Sequence, residues 1–591
     1  VLPAKRCKGE EGGDERYTLD GSVDRHGDPA IRGKTGGWSV GLLLLVNQGL
    51  TNLAFFGVGV NLVLFMARIL RQDNAAAANN VSQWTGTAYI FSLLGAFLSD
   101  SYWGRYKASV VFQLINLDYL RQGLVMLALS SYLLLLKPCV PGEGNARCEP
   151  PTSLEVGVFY ISIYQIALGN GAFQPSITTF GADQFDGQDP HEGRSKVAFF
   201  SYFYMATNLG TVFSGTVLVY LEDKGEWVLG FWISAGAATV ALALFLAGAP
   251  WYRHFSPGGN PLTRVCQVLV AAVKKWGVEV PTHGEGEGLF ETDGKESPVA
   301  INGRRRLPHT PGFRFLDRAA VMTPEEEASE GAALEDQHRP LNPWRLCTVT
   351  QVEEVKCILR LLPIWLCTIV YSIIDTQMAS IFIEQGAAMS TAVGSFHIPP
   401  ASMTIFEILG VTVTVLLYQL CFLPFLRELS RWEPTELQRM GAGLLLSAVG
   451  MVVSGLVEFQ RLRHARRRGG GAASTLSILW QVPQYLIMGA SEVFMYVGQL
   501  EFFNGEAPDG LKSFGSALYM SSMSLGNYAS SLLVTAVMGA TGRGDRLGWI
   551  PEDLNRGHLD WFYYLLAAMA AADMAAFVGC CRWYRGTLSA R

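Results

Sequence analysis

The chain has 591 residues, 49% hydrophobic and only 16% charged, with a mean hydropathy of +0.22 and a formal net charge of -5. That balance excludes an ordinary soluble enzyme of this length and fits a polytopic membrane protein. No basic cluster is interleaved with aromatic residues, which excludes a nucleic-acid surface.

Residues Val1 to Gly37 form a charged, glycine-rich cytosolic segment. It has no apolar stretch ahead of a small-residue cleavage site, so it is not a secretory signal, and the first span acts as its own insertion signal. The chain starts at Val1 instead of Met, which leaves the completeness of the amino terminus open. Within the segment, GDPAIRGKT at Gly27 to Thr35 imitates a phosphate-binding loop, but five residues separate its glycines and no apolar strand precedes it. The motif needs four residues and a strand, so ATP binding is not expected.

A span needs roughly 20 apolar residues. Six such stretches follow: Gly41 to Ala67, Trp84 to Trp103, Ala108 to Leu136, Leu154 to Phe180, Phe199 to Leu221 and Trp227 to Tyr252. They give an amino-terminal six-helix bundle over residues 38–252. A cytosolic linker, 253–354, is too polar for hydrocarbon; within it, Leu262 to Trp276 mixes apolar residues with Arg264, Gln267, Lys274 and Lys275, as in a membrane-surface helix or a short soluble one. Six further spans follow: Val355 to Ile383, Ala401 to Leu426, Met440 to Val457, Ser477 to Phe502, Ser513 to Gly539 and Leu559 to Cys580. They form a second bundle over 355–581, ahead of a cytosolic tail, 582–591. The predicted fold is therefore an all-α membrane protein with 12 transmembrane helices in two six-helix bundles.

With both ends inside, the cytosolic face collects Arg105, Lys107, Arg194, Lys196, the linker, Arg427, Arg431, Lys512, Arg582 and Arg585. That obeys the positive-inside rule, while Arg461 to Arg468, in a predicted outer loop, breaks it. Of ten cysteines, only Cys139 and Cys148 share a short outer loop, where a bridge or two separate thiols are equally compatible with the spacing. Asn80-Val81-Ser82 is a glycosylation sequon in a predicted outer loop close to the membrane.

Two sets of six spans around a cytosolic linker imply a site between bundles that rock against one another, the architecture of alternating access. Catalysis has little to stand on. All nine histidines lie outside the spans, and no HExxH or paired-cysteine pattern is present, so neither a catalytic group nor a cofactor or metal is expected. Between the second and third spans, GAFLSD is followed by GRYK; Asp100 beside Arg105 and Lys107 is a candidate gate, because ion pairs at a cytosolic turn can exchange as bundles move.

The chain resembles the plant-type nitrate and peptide transporter family, within the proton-dependent oligopeptide transporters of the major facilitator superfamily. The resemblance runs from Asp24 to Tyr584 through GDPAIRGKTGGW, GAFLSDSYWGRYK, FGADQFD, FSYFYMATNLG, FRFLDRAA, LRLLPIW, IPPASM, LQRMG, WQVPQYLIMGASEVF and LNRGHLDWFYYLL. It implies a major facilitator fold. It also implies a central cavity into which Gln48, Thr51, Asn52, Gln174, Asp375, Gln377 and Glu492 project. The departures matter as much. Many members carry an ExxER motif on the first span, tied to proton coupling, and the matching positions here are Gln48, Thr51 and Asn52. A lysine frequent in the fourth span is matched by Gln174, a nitrate-contacting histidine by Asp375, and a phosphorylatable threonine by Ala108, while the tenth-span carboxylate is kept as Glu492.

A cation 4 Å from an anion is worth about 4 kcal/mol at an effective dielectric near 20, so losing these cations removes roughly a thousandfold in anion affinity. A membrane carboxyl with no cationic partner can instead hold and exchange a proton, which makes Glu492 and Asp375 the candidate proton carriers, or else neutral acids bonded to a neighbouring backbone. Asp118 and Arg121 are spaced to pair within the third span, while Glu407 and Asp573 could line the cavity or bond across helices. The expected function is secondary transport of a small molecule or ion with protons. Low-affinity nitrate is the first choice, as the resemblance to the subset lacking ExxER implies. Alternatives are a peptide, a hormone-like acid, potassium exchanged for protons, or a receptor that binds solute without moving it. The plasma membrane is the expected location, ahead of the vacuolar membrane, and the oligomeric state is open.

Overall fold

The protein is represented by a computed structural model that describes residues 17–59, 74–115, 153–218, 227–255, 261–280, 309–324, 342–393, 396–430, 433–467, 476–508, 511–542, 548–551 and 554–584, with a few short pieces between. Helices occupy the places of all twelve expected spans. They are α1 (Gly37–Gly59), α2 (Asn74–Leu98, ending in a π turn at Ser99–Trp103), α3 (105–115), α4 (Ser153–Ala182), α5 (Pro190–Phe213) and α6 (Trp227–Ala247). The linker contributes α7 (Pro261–Lys274). The second set is α8 (Val349–Asp375), α9 (Thr404–Leu417), α10 (Glu436–Arg467), α11 (Val482–Glu492, continuing through a π turn to Glu506), α12 (Lys512–Thr541) and α13 (Leu559–Trp583).

Local sequence fixes several helix starts. Asp189 caps α5 by accepting from the His191 N–H, with Pro190 in the first turn, and Thr348 and Gln351 form a reciprocal capping box on α8. Among the described residues, seven helices are long and apolar enough to cross a membrane by length and composition. Helix α5 is not among them because its first turns carry Glu192, Arg194 and Lys196, and α12 is not because its buried face is polar, holding Ser513, Ser516, Ser521, Ser522, Ser524 and Ser530.

In the first bundle α1 packs on α5 and α6, and α2 on α4; in the second, α8 packs on α12 and α13, α9 on α11, and α10 on α13. The bundles meet where α2 and α4 touch α12 and where α5 touches α9. Two glycines reveal the repeat that the sequence conceals. Any side chain at Gly171 of α4 would strike the Ala88 carbonyl of α2, and one at Gly489 of α11 would strike the Glu407 carbonyl of α9. Small residues allow such close crossings. Gln174 and Glu492 each follow their glycine by one turn, so they are counterparts in the two halves.

Several expectations need correction. Helix α10 has 32 residues, about 48 Å at 1.5 Å per residue, so Arg461 belongs to a helix and not to an outer loop. Its guanidinium is fully buried 2.7 Å from Glu458 and bonds Asn555 at 2.6 Å, which removes it from the loop charge that opposed the topology. Asn80 lies in α2, not in a loop, and its amide donates to Tyr160 at 2.9 Å. The strands Cys139–Val140 and Arg147–Cys148 pair with Cys139 opposite Cys148; the thiols, like Asp118 and Arg121, lie outside the described residues.

Residues 17–36 strap one end of the first-bundle helices together. Arg32 pairs with Asp186 at 3.1 Å and Asp189 at 3.2 Å, and Arg253 donates to the Thr35 carbonyl at 2.9 Å and pairs with Glu192 at 2.7 Å. GDPAIRGKT is thus a structural turn. In the linker, α7 buries Val268, Ala271 and Ala272 against Leu316, Ala319 and the start of α8, leaving Leu269, Val273 and Trp276 exposed. Lys356, buried near the start of α8, holds the linker by pairing with Asp317 at 2.6 Å and Glu353 at 2.7 Å and by donating to the Thr310 carbonyl at 2.9 Å.

Candidate functional site

Two chemically different walls face one another between the bundles. The first-bundle wall is made of amides and hydroxyls. Gln48 on α1 donates to Gln174 Oε1 on α4 at 3.0 Å and to Thr207 on α5 at 3.1 Å. One turn along, Asn52 donates to the Thr207 carbonyl at 2.7 Å and to Thr211 Oγ1 at 2.8 Å. Thr51 accepts from Gln113 on α3 at 3.4 Å. Charges at these positions would form ion pairs between helices; neutral amides make the same connections by hydrogen bonds and leave the Gln48 Oε1 buried with no donor.

The second-bundle wall is acidic. Glu492 on α11 touches the carboxyls of Asp375 on α8 and Glu407 on α9. Tyrosines surround them. Tyr496 donates to Asp375 at 2.6 Å, Ser491 donates to the Tyr371 hydroxyl at 3.1 Å, and the Tyr371 and Tyr496 rings meet edge to face at 5.3 Å. No lysine, arginine or histidine faces the three carboxyls among the described residues. Carboxyls in mutual contact without a cation cannot all be ionised, because like charges in a low-dielectric site repel strongly.

One bond joins the two walls. Tyr204 on α5 donates to Glu492 Oε2 at 2.7 Å. Further bonds join the bundles: Gln419, just beyond α9, donates to Ser201 at 2.8 Å, and Thr179 of α4 lies 2.9 Å from the Ser516 hydroxyl of α12. At the start of α12, Asp100 Oδ2 accepts from the backbone N–H groups of Ser513 at 2.9 Å and Phe514 at 3.2 Å. A carboxylate there satisfies the orphan donors of the α12 start and meets its positive dipole end.

Arg105 braces Asp100 at 3.4 Å and pairs with Asp183 at 2.5 Å; burial opposes its charge, but the two aspartates hold the guanidinium above its ordinary value. Lys196, in the first turns of α5, is pushed down to about 8 by burial and by Lys512.

Of the sequence candidates, Gln48, Asn52 and Gln174 come together through α5, Thr51 faces α3, Asp375 and Glu492 come together on the acidic wall, and Asp100 and Arg105 meet at the start of α12. Two do not join. Gln377 turns toward α12, donating to Ser530 at 2.6 Å, and Lys107 projects into solvent. Asp573 bonds Cys367 between α13 and α8, apart from the cluster. Sequence reasoning left Glu407 undecided and missed Tyr204, Tyr496 and Asp183; a polar residue facing an acid across bundles has no sequence signature, although Asp183 lies in the FGADQFD stretch. His309, Asp317 and Glu353 gather three metal-type ligand atoms, but the Lys356 ammonium already stands where a cation would neutralise them.

Comparison with known proteins agrees with this architecture. The PTR2 model, described as the POT family, matches residues 120–550. The chain is 56% identical to Protein NRT1/PTR FAMILY 7.2 of Arabidopsis thaliana over 97% of its length and 96% of that protein. It is 54% identical to Protein NRT1/PTR FAMILY 7.3 of the same plant, over 98% and 93%. The crystal structure of the POT family transporter PepTSo superposes with a TM-score of 0.58 at 21% identity, covering 92% of this chain and 98% of that one.

Proposed function

The chain belongs to the POT family, in its NRT1/PTR branch, and is therefore an integral multi-pass membrane transporter and not an enzyme; from that premise we propose that it moves a small solute together with protons by rocking of its two bundles. The observation that carries this reading is the Tyr204 to Glu492 hydrogen bond. It links a proton-accepting carboxyl of one bundle to a donor of the other. Changing the charge on Glu492 then changes the energy of closure, which is the linkage a coupled transporter requires. Asp375 is the second proton carrier, and Asp100 with Arg105 forms the cytosolic gate.

Nitrate is the proposed cargo, bound weakly by the amides of Gln48, Asn52 and Gln174 while the acidic wall is protonated. The plasma membrane is the proposed location. A second reading is exchange of a monovalent cation for protons, favoured by the three carboxyls that face no cation among the described residues.

Uptake of labelled nitrate into proteoliposomes under an inward pH gradient tests the proposal. It requires accumulation by the natural chain and its loss in Glu492→Gln. Potassium flux without nitrate flux replaces it with the exchange reading, and binding without flux of any solute replaces it with a receptor.

A further inference from the structure

Glu407 is the acid that the family resemblance does not assign, and its position is built by the backbone. Helices α9 and α11 cross closely enough that side chains at Gly410 and Gly489 would meet the Leu486 and Glu407 backbones. Glu407 precedes Gly410 by one turn, and Glu492 follows Gly489 by one turn. Helical side chains tilt toward the amino-terminal end, so the Glu492 carboxyl reaches back to the level of Gly489, where the missing side chain lets the Glu407 backbone approach α11.

The carboxyls thus form a chain of two contacts, Asp375 to Glu492 and Glu492 to Glu407. Each carboxyl-to-carboxyl hydrogen bond needs one proton, so both contacts together need two protons and leave one negative charge. Tyr204 and Tyr496 donate to that chain at 2.7 Å and 2.6 Å. The other titratable groups facing Glu407 are Tyr485 on α11 and Tyr371 on α8. Neither is a cation.

We propose that Glu407 is a third proton-carrying residue, so that the closed site holds two protons and two leave together when it opens. Each departing proton breaks a carboxyl O–H bond and passes to water, leaving a carboxylate. This extends the proton-coupled reading above, and its test needs no solute.

The test is infrared difference spectroscopy of the protonated-carboxyl C=O band, with the full chain in lipid nanodiscs and a pH jump. In Glu407→Gln the band that disappears on alkalinisation falls to about half its natural area, since one of two coupled protons is gone. An unchanged area in a monodisperse variant overturns the proposal. Should Glu407→Gln not reconstitute, Glu407→Asp serves: a retained area with a shifted frequency supports the proposal, and an unshifted band overturns it. A two-proton band in a protein that carries no nitrate overturns only the cargo reading.

Discussion

The Tyr204 hydroxyl and the Glu492 carboxyl, 2.7 Å apart, sit on different bundles. Their bond exists only while the bundles are together, and so does the grip of Asp100 on the first N–H groups of α12. In the proposed mechanism the proton site and the gate are therefore parts of one equilibrium. Whatever removes the Tyr204 donor or the Asp100 acceptor shifts the population toward the cytosol-open form.

Tyr204→Phe deletes the donor and keeps the ring. A hydrogen bond to a charged group is worth about 1.5 to 3 kcal/mol, so the open population rises by roughly one to two orders of magnitude. A cysteine placed at Ser516 should be labelled faster from the cytosolic side in this variant; an unchanged rate counts against the linkage.

Asp100→Ala removes the cap on α12 and should cost the closed gate about 1 to 2 kcal/mol. Hydrogen exchange at the Ser513 and Phe514 amides reads this directly. Exchange should accelerate at those positions and stay unchanged in α13.

Lys196 gives the gate a pH dependence. Its ammonium is depressed from 10.5 to about 8 in the closed structure, so closure favours the neutral amine. That support is complete above 10.5 and is lost as pH falls from 10.5 through about 8. Closure should therefore weaken by about 2 to 3 kcal/mol between pH of about 10 and about 7. Labelling at the same Ser516→Cys position should follow pH in the natural chain and flatten in Lys196→Gln.

Gln174→Lys places a cation on the amide wall. With about 4 kcal/mol available at 4 Å and an effective dielectric near 20, nitrate affinity should rise by up to roughly a thousandfold. Equilibrium binding of nitrate to the purified protein measures it. An unaltered affinity would remove the amide wall as the anion site.

Arg461→Ala strands the Glu458 carboxylate in the second bundle and should lower stability by about 3 to 5 kcal/mol, seen as a fall in melting temperature. The double variant Glu458→Gln with Arg461→Met should recover most of it, because no uncompensated charge remains.

Helices and their count were legible because apolar runs between polar turns report bilayer thickness directly. Boundaries were less so: α10 runs past Val457 since Glu458 and Arg461 satisfy each other inside the bundle, and a charge pair one turn apart reads as a loop until burial is known. The amide positions on α1 and α4 were legible only through the family resemblance, as the positions that match the ExxER motif and the fourth-span lysine. The bundle-joining partner was not. Tyr204 sits in a run of aromatics, and nothing in FSYFYMATNLG distinguishes the tyrosine that reaches α11 from those that do not. Gln377 follows Asp375 closely in sequence, but the helix changes to a tighter turn at Thr376–Ala379, which swings the amide toward α12.

The most direct test of the central claim is proton movement in proteoliposomes loaded with a pH-sensitive dye, with an inward nitrate gradient and no imposed pH gradient. The natural chain should acidify the lumen as nitrate enters, and Glu492→Gln should abolish that acidification. Nitrate entry with no acidification, or undiminished acidification by Glu492→Gln, would contradict the account.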